Sequence, residues 1–307
     1  MKEVYALELL PKETRIKFNE AARKELFKDK INPMKTLKLH RNTVNSWIRG
    51  EYNPSLEQLE KLAIDVKSNW KKIEIIDLEG GKKKFLIPEY LPLDKLSWLL
   101  GILDGDGLVE KNHRIGIVNQ DTNLIKDFIE TCKEVFGLDY KDFSAEVVWN
   151  KSINVYDEIK LPIENIRVNT SSNNAYKSNR PVIKVVINSK ILYSVMENFR
   201  NFMQTEINTS PNKFALYVRG LMDSDGSFAR KNIYLTQKLN NRNMVRMITV
   251  KKILDNLKIS NNGIKGPNSK NMIYIYLNNS KENLIKYNNF IGFNSISKRE
   301  KLSTLLS

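Results

Sequence analysis

Leu99-Leu100-Gly101-Ile102-Leu103-Asp104-Gly105-Asp106-Gly107 decides the fold, because it returns, altered, 119 residues later as Val218-Arg219-Gly220-Leu221-Met222-Asp223-Ser224-Asp225-Gly226. Each copy reads as an apolar helix that ends in an acidic turn. Small residues lie four apart in each copy: Gly101 and Gly105, then Gly220 and Ser224. That spacing puts them on one helix face. A glycine inside a helix costs roughly 1 kcal/mol relative to alanine. Two copies at that cost predict two helices packed backbone against backbone. Asp106 and Asp225 then arrive together, each just beyond a helix C-terminus, the negative end of the helix dipole. Two carboxylates so placed repel one another. A divalent cation with oxygen ligands, Mg²⁺ or another such as Mn²⁺, is the expected remedy.

An EF-hand loop is excluded, because it needs an acidic residue at its twelfth position. Counting from Asp104 reaches Ile115, and counting from Asp223 reaches Tyr234.

The paired motifs resemble the LAGLIDADG homing endonucleases in their monomeric, two-repeat form. The resemblance implies an α+β fold of two pseudo-symmetric αββαββα repeats, whose sheets form a curved, positive saddle for double-stranded DNA. It implies Asp106 and Asp225 as metal ligands and catalytic acids, assisted by the backbone carbonyls of Gly105 and Ser224. Asp104 and Asp223 take a structural role. A basic residue on a late strand of each repeat completes such sites; Lys184, within Val182–Ile187, fits in the first half. The matching second-half strand, Ile273–Leu277, has no lysine, which leaves Lys265 or another loop lysine. A polar second-strand residue that positions water is matched by Gln237, and less cleanly by Asn119 or Gln120. The implied activity is site-specific cleavage of both DNA strands, one per half, across the minor groove.

Composition agrees with that partner. The 307 residues hold 50 Lys and Arg against 35 Asp and Glu, a net charge of +15 spread along the chain. Such a balance favours nucleic acid or another anionic surface. Cys132 is the only cysteine, and His40 and His113 are the only histidines. Internal disulfides and cysteine-rich zinc sites are thereby excluded, and a histidine nuclease centre is hard to build. No run is long enough for a membrane helix and no secretory signal opens the chain, so an intracellular protein of the cytoplasm or nucleoid is expected. Nothing at Met1 or at Leu305-Leu306-Ser307 suggests a splicing terminus. A mobile intron rather than an intein is the expected origin.

Residues 1–70 read as helices over Glu13–Lys28, Pro33–Leu39, Asn42–Arg49 and Leu56–Val66. Thr43-Val44-Asn45-Ser46-Trp47-Ile48-Arg49-Gly50 through Asn53-Pro54-Ser55-Leu56 resembles the recognition helix and following turn of a phage-repressor helix-turn-helix. That resemblance implies a small all-α DNA-binding domain. Val44, Trp47 and Ile48 pack inward, while Arg41, Asn42, Thr43, Asn45, Ser46 and Arg49 face the major groove or its phosphates. Residues 71–92 read as a linker with strands, Ile73–Leu78 and Phe85–Ile87, about a turn at Glu79-Gly80-Gly81.

Residues 93–205 and 206–307 form the two repeats. After each acidic turn come two strands and a helix, then later strands and a closing helix near Lys190–Phe202 or Lys281–Phe290. The first half carries an extra polar stretch, Asp139–Asn179. Base or phosphate contacts are expected from Lys111, Asn112, Arg114, Asn119, Arg230, Lys231, Tyr234, Thr236, Lys238 and Lys265, with lysines favouring phosphate. The alternative to a nuclease is a DNA-binding regulator, or an RNA-splicing maturase, on the same scaffold.

Overall fold

The computed structural model describes residues 3–28, 31–77, 83–85, 87–110, 114–149, 161–163, 166–170, 181–229 and 232–307. At its centre lie two helices, α6 (Leu93–Gly105) and α9 (Ala215–Ser224), packed along their small residues. A Cβ added at Gly101 would strike the Tyr217 carbonyl and stand 3.0 Å from the Gly220 Cα. One added at Gly220 would strike the Trp98 carbonyl and stand 3.1 Å from the Gly101 Cα. The two glycines therefore face each other, and no other residue fits at either place. From Leu96 to Asp104, α6 is buried on all sides, as an apolar helix in the middle of a protein must be.

The same order of elements follows each central helix. After α6 come β6 (Gly107–Glu110), β7 (Arg114–Asn119) and α7 (Thr122–Phe136). Next are β8 (Phe143–Trp149), β9 (Ile166–Thr170), β10 (Val182–Asn188) and α8 (Lys190–Glu206). These strands make a five-stranded sheet of order β6-β7-β10-β8-β9, antiparallel except for β8 with β9. After α9 come β11 (Gly226–Ala229), β12 (Asn232–Lys238), α10 (Asn241–Asn256), β13 (Met272–Tyr276) and α11 (Lys281–Phe290). Their sheet has three strands, β11-β12-β13. A fourth position is marked by single bridges, Lys265 to Tyr274 and Asn261 to Leu277. The halves are thus unequal: β8 and β9 use part of the polar stretch expected after Asp139, while the Gly263-containing segment pairs only in places.

Alternation sets the two faces of each sheet. Ile115, Ile117, Ile183, Val185 and Ile187 are buried on one face. Ile233, Leu235, Ile273 and Ile275 do the same in the second half. The opposite faces carry the half-buried and exposed polar residues. One further helix, α12 (Ile296–Leu306), closes the chain. No sequence pattern above anticipated it.

The N-terminal segment is not all-α, which corrects the expected all-helical domain. Arg15–Phe18 is a strand, β2, because Ile16 and Phe18 alternate inward while Arg15 and Lys17 stay half-buried. The helix expected from Glu13 begins only at Glu20, where the Asn19 side chain accepts from the Ala22 N–H. β2 pairs with β3 (Ile73–Asp77), and β3 with β4 (Lys83–Phe85). The first strand, β1 (Glu3–Tyr5), pairs with β5 (Tyr90–Pro92), which leads directly into α6. The stretch expected as a linker is therefore built into the N-terminal sheets. The short helix α1 (Ala6–Leu9) packs on α8, where Asn198 Nδ2 donates to the Leu9 carbonyl at 2.8 Å.

Candidate active site

Each acidic turn brings two aspartates to one end of the central pair, and the two have different surroundings. Asp104 is buried. Arg200 from α8 places Nη1 at 2.6 Å from both carboxylate oxygens, and Arg246 from α10 places Nη2 at 2.7 Å from Oδ1. The Tyr217 hydroxyl adds a bond to Oδ2 at 2.9 Å. Asp223, also buried, takes its hydrogen bonds among the described residues from neutral donors, Trp98 Nε1 at 3.0 Å and the backbone N–H groups of Asn294 and Ser295 at 2.8 and 3.1 Å, with the Lys298 charge nearby. Burial raises the Asp223 carboxyl above the usual range against the pull of these bonds.

The cross-links are reciprocal. Trp98 of the first helix serves the acid of the second, and Tyr217 of the second serves the acid of the first. Both pairs, Trp98 with Tyr217 and Asp104 with Asp223, keep the 119-residue offset of the motifs. The first aspartate of each copy therefore locks the helix pair.

The second aspartates are only half-buried. Asn119, at the end of β7, donates Nδ2 to Asp106 Oδ2 at 2.5 Å. Gln237, near the end of β12, donates Nε2 to Asp225 Oδ2. Each amide lies on the buried face of its strand, which aims it at the acid. Burial raises both carboxyls. Asp225 is pushed up to about 6, with the charge of Asp106 as the next cause after burial. The two acids share one small region: a Cβ built on Gly105, the neighbour of Asp106, would stand 3.1 Å from Asp225 Oδ2, and the Asp106 charge helps to raise the Asp225 carboxyl.

The donors suit a hard cation. Two carboxylates and the carbonyls of Gly105 and Ser224 are all oxygen ligands, and Mg²⁺ is commonly held by one or two carboxylates together with water and phosphate oxygens. Among the described residues, no group of three or more His, Cys, Asp and Glu converges to cage a metal by itself. One carbonyl is already engaged: Lys298 Nζ donates to Met222, Asp223 and Ser224 at 2.8, 2.7 and 3.2 Å. Burial lowers the Lys298 ammonium from its usual value, and the carboxylates of Asp223, Asp106 and Asp225 oppose that shift. The side chains of Asn119, Asp223, Ser224 and Lys298 border a groove of about 630 Å³.

The remaining expected residues fall into three places. Tyr234, Thr236 and Lys238 share the outer face of the second sheet, and the Lys265 bridge to Tyr274 puts that lysine there too. Tyr274 and Tyr276 complete the face, with ring centroids 5.2 Å apart. Arg114 and Lys184 share the outer face of the first sheet, and Lys184 pairs in register with Val118 and Glu146. Lys184 thus lies on the face opposite Asn119, rather than beside the amide that meets Asp106. Asn119, expected both among the DNA contacts and, less cleanly, as the polar second-strand residue of the site, is a partner of Asp106. Lys111, Asn112, Arg230 and Lys231 lie outside the described residues.

In the helix Arg41–Arg49 (α4), Arg41, Asn42 and Arg49 are exposed and Thr43 and Asn45 half-buried. Ser46 is buried, which corrects its expected groove-facing role. The chain turns back after Gly50, and Glu51 N–H bonds the Ser46 carbonyl at 3.0 Å, covering that side of the helix. Arg49 pairs with Glu51 at 2.9 Å.

Residues 213–292 match the family model described as the LAGLIDADG-like domain. The match takes in α9 and Asp225 and stops before α12. No curated protein sequence matches the chain. Among solved structures, I-DmoI in complex with DNA and calcium is 20% identical, with a TM-score of 0.41, over 69% of this chain and 98% of that one. I-DmoI with DNA and manganese is 20% identical, with a TM-score of 0.40, over 65% and 97%. Full-length DUF199/WhiA from Thermatoga maritima is 16% identical, with a TM-score of 0.41, over 69% and 60%.

Proposed function

We propose that this chain is a divalent-metal-dependent endonuclease that cuts double-stranded DNA as a monomer, each half serving one strand. The observation that carries the reading is the nearness of Asp106 and Asp225, one acid from each motif, across the Gly105 contact with Asp225, each half-buried and each held by an amide side chain. A protein that only bound DNA would gain nothing from two carboxylates beside phosphate.

A divalent ion such as Mg²⁺ or Mn²⁺, held by Asp106 and Asp225, supplies charge neutralisation at phosphorus and a more acidic water. The rest is done by the chain. Asn119 and Gln237 orient the carboxylates by each holding one oxygen, Oδ2 of Asp106 and Oδ2 of Asp225. The +15 charge and the outer-face residues Arg114, Lys184, Lys238 and Lys265 attract and seat the duplex. Tyr234, Thr236 and the exposed Arg41, Asn42 and Arg49 of α4 supply candidate base contacts, and the N-terminal unit acts as a second DNA-reading module of helix-turn-helix type.

The test is cleavage of a plasmid library of randomised sites in Mg²⁺ or Mn²⁺. Asp106→Asn and Asp225→Asn are each expected to lose cutting by roughly a hundredfold or more while retaining duplex binding. Tight duplex binding by the unaltered protein with no cutting in either metal would replace the nuclease with a DNA-binding regulator. The engaged Ser224 carbonyl is the one observation that favours this second reading.

A further inference from the structure

Lys298 has no part in the chemistry above. It belongs to α12, outside the stretch that matches the family model. The carbonyls it bonds, of Met222, Asp223 and Ser224, close the last turn of α9, and that of Met222 also accepts the N–H of the capping Asp225. An ammonium has three donors, and these three bonds use them all. The position is also fixed from both halves. Asp223 accepts the Asn294 and Ser295 N–H groups, and Ser295 Oγ donates to Asp121 Oδ2 at 3.0 Å. The first half is served differently: Arg246 Nη1 bonds the Asp104 carbonyl at 2.7 Å, one position short of Gly105. The two helix ends are therefore unequal as cation sites. One has its last carbonyl taken by a fixed positive charge, and the other does not.

We propose that Lys298 is a built-in rival of the divalent cation at the second helix end. It holds the Ser224 carbonyl and offsets part of the local negative charge, so that Asp106, Asp225 and the Gly105 carbonyl would hold the cation without the Ser224 carbonyl. This rests on the nuclease reading. It adds that the metal site is asymmetric and weakened by the chain's own lysine.

The test is Mn²⁺ binding by the full-length protein without DNA, with free Mn²⁺ followed by electron paramagnetic resonance below the unfolding temperature of every variant. Lys298→Met keeps the apolar stem and removes the charge. Lys298→Gln also removes the charge but can still donate to the carbonyls, and Lys298→Arg keeps the charge. Met and Gln are expected to tighten Mn²⁺ binding by roughly tenfold, in keeping with the loss of a nearby unit charge, and Arg to leave it unchanged. Unchanged or weaker binding in Lys298→Gln would overturn the rival role while leaving the nuclease reading in place. Wild-type binding of Mn²⁺ that survives Asp106→Asn and Asp225→Asn together, or no binding in any form, would overturn the rivalry, while the nuclease reading is decided separately by the cleavage test.

Discussion

The two motif ends carry the same acids at the same spacing, yet they solve the same problem with opposite chemistry. Asp104 is held by two arginines and a tyrosine, a buried ionic cluster. Asp223 is held by an indole and two backbone N–H groups, a cage of neutral dipoles. The lesson is that a repeated motif repeats the backbone and its acids, while neighbours drawn from elsewhere set the charge around them. Arg200 and Arg246 come from α8 and α10, one helix of each half, whereas the donors to Asp223 come from α6 and the start of α12.

The comparison breaks most sharply on removing the first acids. Asp104→Asn leaves Arg200 and Arg246 largely buried without their counter-charge and is expected to cost about 3–5 kcal/mol in chemical unfolding. Asp223→Asn keeps one acceptor oxygen but turns its NH2 toward the donors of the other, without stranding a charge, and is expected to cost about 1–3 kcal/mol. Equal losses would mean that the arginines find other partners.

The second acids differ in titration. The folded Asp225 carboxyl lies near 6, above its unfolded value near 3.9. The stability it contributes is therefore whole below about pH 4 and is lost as pH rises through 6, a cost of order 2 kcal/mol to the metal-free protein. Asp225→Asn should leave unfolding temperature unchanged at pH 4 and raise it at pH 7. A difference between variant and wild type that does not grow with pH would refute the placement. Asp106→Asn should lower the Asp225 midpoint, since the Asp106 charge is one of its causes.

A smaller effect separates Gly105 from Ser224. A Cβ at Gly105 would strike the Ser224 side chain and lie 3.1 Å from Asp225 Oδ2. Gly105→Ala is expected to cost about 1–3 kcal/mol through overpacking, and adding Ser224→Gly should recover much of it. Ser224→Ala keeps the Cβ and loses only a hydroxyl that bonds back to the Gly220 and Leu221 carbonyls, a change of about 1 kcal/mol or less. A double variant no better than Gly105→Ala would show that the two positions do not share one notch.

The helix pair and its acids were legible because the signal is local: glycines at fixed spacing, repeated, with acids at a fixed distance beyond. Gln237 came from the family resemblance, which implies a polar residue on the second strand of each repeat. Asn119 was harder to assign because a polar strand end beside basic residues also suits a DNA contact. The partners of Asp104 were not legible, since Arg200 lies 96 residues away and Arg246 lies 142 residues away in sequence. The exchange between Trp98 and Tyr217 did leave a trace, the shared 119-residue offset. The strand Arg15–Phe18 was hidden inside an apparent helix because its two-residue alternation is only four residues long. The helix carrying Lys298 was hidden because its apolar residues make only a weak stripe. Its position is set by Asp121 and Asp223, at its N-terminal end, more than by its own periodicity.

The pairing of Glu3–Tyr5 with Tyr90–Pro92 has a mechanical result. The opening strand of the polypeptide is zipped to the last residues before the first glycine-notched helix, with no slack between them. A torque on the amino-terminal unit is delivered straight to the seam between the two halves, so that unit works as a handle on the seam rather than as cargo on a string.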